Sequence, residues 1–260
     1  MPFVAHRVFN WAPAVIDESW GLQTIPAGNA CSICNSLYCL ECGLLFLDIR
    51  FDADELGRLY FKYRGEEYTE LRDKYEPGYR IRNSQLQSRI GYLDQVESFI
   101  RKFVPTPSSL LDWGGGSGVN TPFTEGGCEV FIYDISSVEV VTGLSVLCEA
   151  RLTDRQYDVI HCTNVLEHVS YPLDLILEIK SVMHLDTLLY IQLPFERLQY
   201  EGQHEVHTLK RHWHEHINFF SEKSIMKMLE RAELEVLELR ILRIGTADRY
   251  TPIFQVACRI

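Results

Sequence analysis

The chain is short of positive charge. Its 260 residues carry 25 Lys and Arg against 36 Asp and Glu, a formal net charge of −11 at pH 7 with a pI of about 5.3. A general nucleic-acid binder needs a Lys/Arg surplus to neutralise phosphates, and no local basic run stands out. Long apolar runs are missing too. No segment reaches the ~18 apolar residues of a membrane helix, and the opening MPFVAHRVFNWAPAV has no basic stretch ahead of an apolar one. Internal repeats and low-complexity tracts are absent. These absences lead to the expectation of a cytoplasmic protein with no membrane partner, and they weigh against a nucleic-acid partner.

What is present describes an ordinary core: 46% hydrophobic and 12% aromatic residues, on a length that suits one large α/β domain with an appendage, or two modest domains. Of the eight cysteines, four cluster at 31, 34, 39 and 42. Cys128, Cys148, Cys162 and Cys258 are scattered in apolar or strand-like surroundings, as small core residues of a reducing compartment are.

Residues 1–30 give no clear pattern. GLLFLDIR reads as a short strand. From about 52 to 103 the pattern is helical: DADELGRLYFKY opens on good cap residues, and NSQLQSRIGYLDQVESFIRKF spaces Leu86, Ile90, Leu93, Val96 and Ile100 at steps of three and four. VPTPSS ends that helix. Strands and helices then alternate. SLLDW, CEVFIYDIS, YDVIHCTNVL and TLLYIQLP read as strands, PLDLILEIKSVM and SEKSIMKMLERAEL as helices, EVLELRILRI and TPIFQVACRI as closing strands. Apolar strands alternating with helices predict a mostly parallel sheet covered on both faces, with a hairpin at one edge. The divisions this suggests are 1–50, 51–104 and 105–260.

SSLLDWGGGSGVN places glycines after a strand that ends in a carboxylate, which with a following helix is a nucleotide cradle in general terms. The dinucleotide spacing Gly-x-Gly-x-x-Gly is not met, because Val119 stands where its last glycine belongs. The carboxylate of Asp112 also suits a cationic ligand group better than a pyrophosphate.

Here the chain resembles the class I S-adenosylmethionine-dependent methyltransferases, small-molecule branch. LLDWGGGSG is similar to their first motif and VFIYDIS to their second. YDVIHCTNVLEHVSYPLDLILEI resembles their fourth strand and loop, TLLYIQLP their fifth strand, and HEHINFFSEKSIMKMLERAEL the approach to the last helix. The match runs from about residue 85 to 260. The resemblance implies a Rossmann-like, doubly wound sheet of seven strands with an antiparallel C-terminal hairpin. It implies a cofactor site at Asp112, Trp113, Gly114, Gly115, Gly116, Gly118, Asp134, Ile135, Glu149 and Asn164. Asp112 would help fix the methionine end, Asp134 would accept from both ribose hydroxyls, Glu149 with Cys148 would face adenine, and Asn164 would lie beneath the sulfonium. Two departures stand: MHLDT replaces the usual Lys/Arg-Pro-Gly before the fifth strand, and the segment from Asp134 to Tyr157 is compressed.

CSICNSLYCLECG is Cys-x2-Cys-x4-Cys-x2-Cys, with Asn35 and Gly43 after the pairs, where positive φ is tolerated. Cys31, Cys34, Cys39 and Cys42 form a candidate structural zinc site, closed and therefore not catalytic; reduced thiols are the alternative. The resemblance extends here, since many methyltransferases of sugar and natural-product pathways carry an N-terminal zinc ribbon. The loop histidines His168 and, among His204, His207, His212, His214 and His216, the last are candidates for the base that an oxygen or carbon acceptor requires. Tyr75, Tyr79, Arg80 and Arg82 either cover the active site or lie on the surface.

The function expected is methyl transfer to a small molecule, such as a sugar, nucleotide-sugar or glycan-pathway metabolite, with a homodimer left open. An RNA methyltransferase with a zinc module and a catalytically degenerate cofactor-binding scaffold are the alternatives.

Overall fold

The computed structural model describes residues 2–12, 14–21, 28–30, 35–86, 89–196, 199, 215–246 and 249–260. Cys31, Cys34, His204, His207, His212 and His214 fall outside these.

A seven-stranded sheet organises the molecule. Strands β5 (Ser109–Trp113), β6 (Glu129–Tyr133), β7 (Ser145–Val146), β8 (Val159–Thr163) and β9 (Leu188–Pro194) pair in parallel, in the order β9-β8-β5-β6-β7. The hairpin β11 (Glu235–Thr246) and β12 (Arg249–Arg259) completes it, with β12 antiparallel to β9. This is the mostly parallel, Rossmann-like sheet expected. Alternation along β5 explains its two-sided burial. Leu111 joins a core with Ile176, Ile179, Ile225 and Leu229, from helices α6 (Pro172–Ser181) and α7 (Glu222–Arg231). Leu110 joins the opposite core with Leu93, Val96, Phe99 and Ile100 from α5 (Leu93–Arg101). Successive side chains of a strand point to opposite faces, so both faces are apolar.

Two expectations change. The long helix over residues 83–103 is broken: α4 (Tyr79–Leu86) ends before Gly91, and α5 starts at Leu93. The Ile90 N–H leaves the helical ladder to donate to Asn120 Oδ1 at 2.9 Å. The helix expected after the glycines is absent as well. Residues 114–128 run as turns, with positive φ at Gly114, Gly116, Gly118, Phe123, Gly126 and Gly127. So many left-handed residues leave no run long enough to nucleate a helix.

Residues 1–30, unclear in sequence, contribute α1 (Pro2–Phe9) and the antiparallel pair β1 (Ala14–Ile16) and β2 (Gly28–Ala30), whereas α2 (Ala53–Tyr60) and α3 (Glu66–Tyr75) fall in the stretch read as helical. Helix α2 opens on a reciprocal Asp52–Glu55 capping box. Phe3, Val4, Val8, Leu59, Tyr68 and Tyr79 form a third core with Leu45, Leu47, Ile217 and Phe219. That core sits against a small antiparallel sheet of β3 (Ser36–Tyr38), β4 (Leu45–Leu47) and β10 (Asn218–Phe219), ordered β10-β4-β3. The strand next to the cysteines is thereby paired with the segment that carries His216.

Candidate active site

The C-terminal edge of the parallel strands gathers most of the sequence-predicted residues. Gly114, with φ +77°, donates its N–H to the Tyr133 carbonyl at 2.7 Å. A Cβ on Gly114 would stand 2.5 Å from Val165 Cγ2, and one on Gly115 2.6 Å from Asp112 Oδ2. Gly118 is closed off in the same way by Leu144. Gly116 differs: no heavy atom lies within 4 Å of its would-be Cβ, so this turn residue faces open space.

Asp134, just past β6, accepts from Gly116 N and Ser136 N, both at 2.7 Å. A carboxylate has about four acceptor positions, so capacity remains for two further donors. Asp112 is buried. Its Oδ1 pairs with His161 Nδ1 at 2.7 Å, and its Oδ2 accepts from Thr121 Oγ1. His161 in turn meets Thr163 Oγ1 at 2.9 Å and stacks on Tyr190. Asp112 therefore acts within a buried chain that supports the turn, at the floor under Gly115. The Trp113 ring lies in the core, edge-on to Tyr133, which leaves only its backbone for the edge. Ile135 is 53% exposed. Cys148 and Glu149 are exposed at the start of a short 3-10 turn. Asn164, exposed and left-handed at φ +54°, donates its N–H to the Gln192 carbonyl.

At the same edge the loop after β8, the segment before β10 and the turn after α2 come together. His168 Nδ1 lies 2.9 Å from the Tyr60 hydroxyl, and its ring meets that of His216 edge to face at 4.7 Å. Burial, and the His216 ring beside it, hold the His168 pKa well below its ordinary value, so this imidazole is neutral. Burial, with the Glu215 charge next, pushes the Tyr60 phenol well up, so it keeps its proton. His216 Nδ1 is 2.7 Å from Glu196 Oε1, both side chains half-buried. Such a carboxylate fixes a proton on Nδ1. The turn after α2 crosses this edge, with Lys62 N donating to the Ser136 carbonyl at 2.9 Å. Tyr75 and Tyr79 pack in the N-terminal core, whereas Arg80 and Arg82 sit on the surface paired with Glu66 and Glu76.

The sequence reading missed Glu196, Tyr60, His161 and Thr121. His161 was signalled in principle: the parallel register sets it directly beside Asp112. Glu196 carried no signal.

Residues 84–239 match the family model described as a methyltransferase domain. The chain belongs to the S-adenosylmethionine-dependent methyltransferases. No curated protein matches it. Among solved structures it is similar to a Burkholderia thailandensis 1,6-didemethyltoxoflavin-N1-methyltransferase, with 14% identity, TM-score 0.54, and 86% of this chain and 98% of that one covered. It is also similar to a Synechocystis magnesium protoporphyrin IX methyltransferase, with 20% identity, TM-score 0.46, and 65% and 84% covered. At such identities the first likeness shows the methyltransferase's fold. The glycine turn fits the cofactor: Gly116 faces open space beside the Asp134 carboxylate, where a backbone without Cβ lets a ligand approach. Among the described residues, no helix is long and apolar enough to cross a membrane.

Proposed function

We propose that this methyltransferase modifies an oxygen or carbon atom of a small-molecule acceptor, with His216 as the base. The observation that carries the reading is the Glu196–His216 pair at 2.7 Å, set on the edge where open α/β sheets bind ligands. S-adenosylmethionine supplies a methyl carbon on a positively charged sulfur, open to in-line displacement. Asp134 holds the ribose hydroxyls, Gly116 and its neighbours admit the methionine end, and Asp112 supports that turn from below through His161 and Thr121. Trp113, Gly114, Gly115, Gly118 and Ile135 shape the same wall. Glu149 borders the adenine, and Asn164 lines the approach to the methyl. His216 Nε2 receives the acceptor's proton. His168, neutral and tied to Tyr60, orients the acceptor and is the second candidate for the base.

A sugar or nucleotide-sugar acceptor is favoured by the likeness of the cysteine module to the zinc ribbons of sugar and natural-product methyltransferases. The toxoflavin-pathway enzyme, solved with its small-molecule acceptor, supports the small-molecule branch. Cys31, Cys34, Cys39 and Cys42 would hold a structural zinc. Gly43 N donates to the Cys39 carbonyl at 2.8 Å, and Cys39 N to the Leu44 carbonyl at 2.9 Å, a knuckle-like turn. Hydrogen bonds from Cys42 lower the Cys39 pKa, whereas burial raises that of Cys42; a bound metal would hold both as thiolates.

The test is conversion of S-adenosylmethionine to S-adenosylhomocysteine with a panel of sugar nucleotides and phenolic metabolites, on wild type and His216→Ala. Turnover that falls at least 100-fold in the variant while it still binds S-adenosylhomocysteine supports the base. Equal turnover in the two removes it. Cofactor binding without turnover on any acceptor would favour the degenerate scaffold.

A further inference from the structure

A groove of about 460 Å³ runs between α1 and α2, lined by Arg7, Ala53, Asp54, Gly57, Arg58 and Phe61. The two helices clasp each other there. Arg7 of α1 donates from Nε and Nη2 to the Leu59 and Phe61 carbonyls at the end of α2, and Arg58 of α2 donates from Nε to the Val8 carbonyl of α1 at 3.0 Å. A guanidinium carries more N–H donors than these carbonyls use. Among the described residues neither Arg7 nor Arg58 pairs with a carboxylate, and neither does the Lys62 ammonium at the rim, 5.4 Å from the centre of the Phe61 ring. We propose that this groove binds a nucleoside diphosphate, with its phosphates between the two guanidiniums and its base on Phe61.

Three features point to such a ligand. The first is Gly57. A glycine inside a helix costs stability relative to alanine, and here the space its Cβ would fill has no heavy atom within 4 Å outside its own helix backbone. Packing therefore does not require this glycine, whereas a phosphate approaching the groove floor gains from its bareness. The second is charge. In a chain of net charge −11, Arg7, Arg58 and Lys62 gather here against one acid, Asp54. Arg7 is held in place over the Tyr68 ring, 5.2 Å from its centre, and fixed guanidinium forks match phosphate oxygens. The third is Phe61, 48% exposed at the end of the groove, which offers a base the aromatic face it stacks on.

The groove adjoins the active-site edge. Phe61 is followed by Lys62, whose N–H reaches the Ser136 carbonyl at 2.9 Å, two residues past Asp134. A nucleotide-linked acceptor would be held there by its diphosphate. That use rests on the sugar-nucleotide reading; the binding itself does not.

The experiment titrates uridine diphosphate, and separately inorganic pyrophosphate, into the full-length protein by calorimetry after saturation with S-adenosylhomocysteine. Uridine lacks the adenine of the cofactor. The expected result is one equivalent of uridine diphosphate per chain, weakened by added salt and bound roughly tenfold more tightly than pyrophosphate. Gly57→Ala should melt at a higher temperature, because alanine favours the helix, and yet bind about tenfold more weakly. Arg58→Ala should weaken both ligands by about the same factor, and Phe61→Ala should bring uridine diphosphate down to the level of pyrophosphate. Circular dichroism identifies folded variants. If Arg58→Ala, which loses its bond to Val8, does not fold, Gly57→Ala decides. No binding of uridine diphosphate, or binding undiminished in the folded variants, overturns the proposal. Pyrophosphate bound as tightly as uridine diphosphate, or an unchanged difference in Phe61→Ala, overturns the assignment to a nucleotide. The preceding titration with S-adenosylhomocysteine tests the cofactor site separately. Nucleotide binding that is sensitive to these variants, in protein that takes up no S-adenosylhomocysteine, supports the groove and removes the proposed cofactor residues instead.

Discussion

Asp112, within β5, and Asp134, just past β6, stand at the same sheet edge and have different work. Asp134 remains half-buried with acceptor capacity to spare, whereas Asp112 is consumed by His161 and Thr121. Hydrogen bonds to a charged acceptor contribute about 1.5–3 kcal/mol each, so Asp134→Ala should weaken S-adenosylhomocysteine binding about 10- to 100-fold in a calorimetric titration, and should also lower the melting temperature, because Gly116 N and Ser136 N lose their acceptor. His161→Leu should act on stability first, because Asp112 then remains buried without its imidazole partner. Asp134 was legible through the resemblance of VFIYDIS to the second methyltransferase motif. Glu196 was not. Its contact with His216 spans 20 residues, most of them outside the described part, and depends on where the chain returns.

At the scale of elements, sequence periodicity located six of the seven strands of the large sheet, each a near-continuous apolar run with turn residues at its ends; β7, two exposed residues at the sheet edge, gave no such run. It failed where local chemistry broke a good pattern. Ile90 belongs to the helical stripe by spacing, but Gly91 and the Asn120 side chain draw the backbone out of the helix. The opposite end of the sheet from the active site is tied by Asp158, whose Oδ2 accepts from Ser108 N and Ser108 Oγ, each at 2.6 Å, and from Ser109 N at 3.2 Å. Partial burial raises its pKa, but these hydrogen bonds outweigh that and hold it below the ordinary value of 3.8. A folded-state pKa below the unfolded one contributes stability above about pH 4 that is lost as pH falls through the folded value. Asp158→Asn should therefore be less stable than wild type at neutral pH, with the difference shrinking below about pH 4. Denaturant midpoints at pH 7 and pH 3 check this, and cofactor binding at pH 7 should be unchanged.

At the scale of the molecule, a buried ion pair joins the N-terminal helices to the segment before β10. Arg72 on α3 binds Glu215, which also accepts from the Tyr68 hydroxyl, and both charged side chains are at most 5% exposed. Removing one partner of such a pair leaves a buried charge and costs about 3–5 kcal/mol. Arg72→Ala should lose roughly that much in urea unfolding and should disturb His216, the next residue to Glu215. Tyr68→Phe should cost about 1–2 kcal/mol. The acidic surface carries a further prediction: the protein should not be retained on immobilised RNA at low salt, and salt-sensitive retention would reopen the RNA-modifying alternative.

The pairing of β4 with β10 has a consequence for biosynthesis. The Ser221 hydroxyl donates to the Cys42 carbonyl across 179 residues of sequence, and Asn218 pairs with Phe46. A ribosome making roughly 5–20 residues per second exposes the cysteine turn many seconds before its partner strand exists. During that interval the thiols have no finished domain around them and are open to oxidation. If the cysteines hold the proposed zinc, its early capture by the nascent chain would cover them, and zinc supply during translation, more than zinc added afterwards, should then set the yield of active protein.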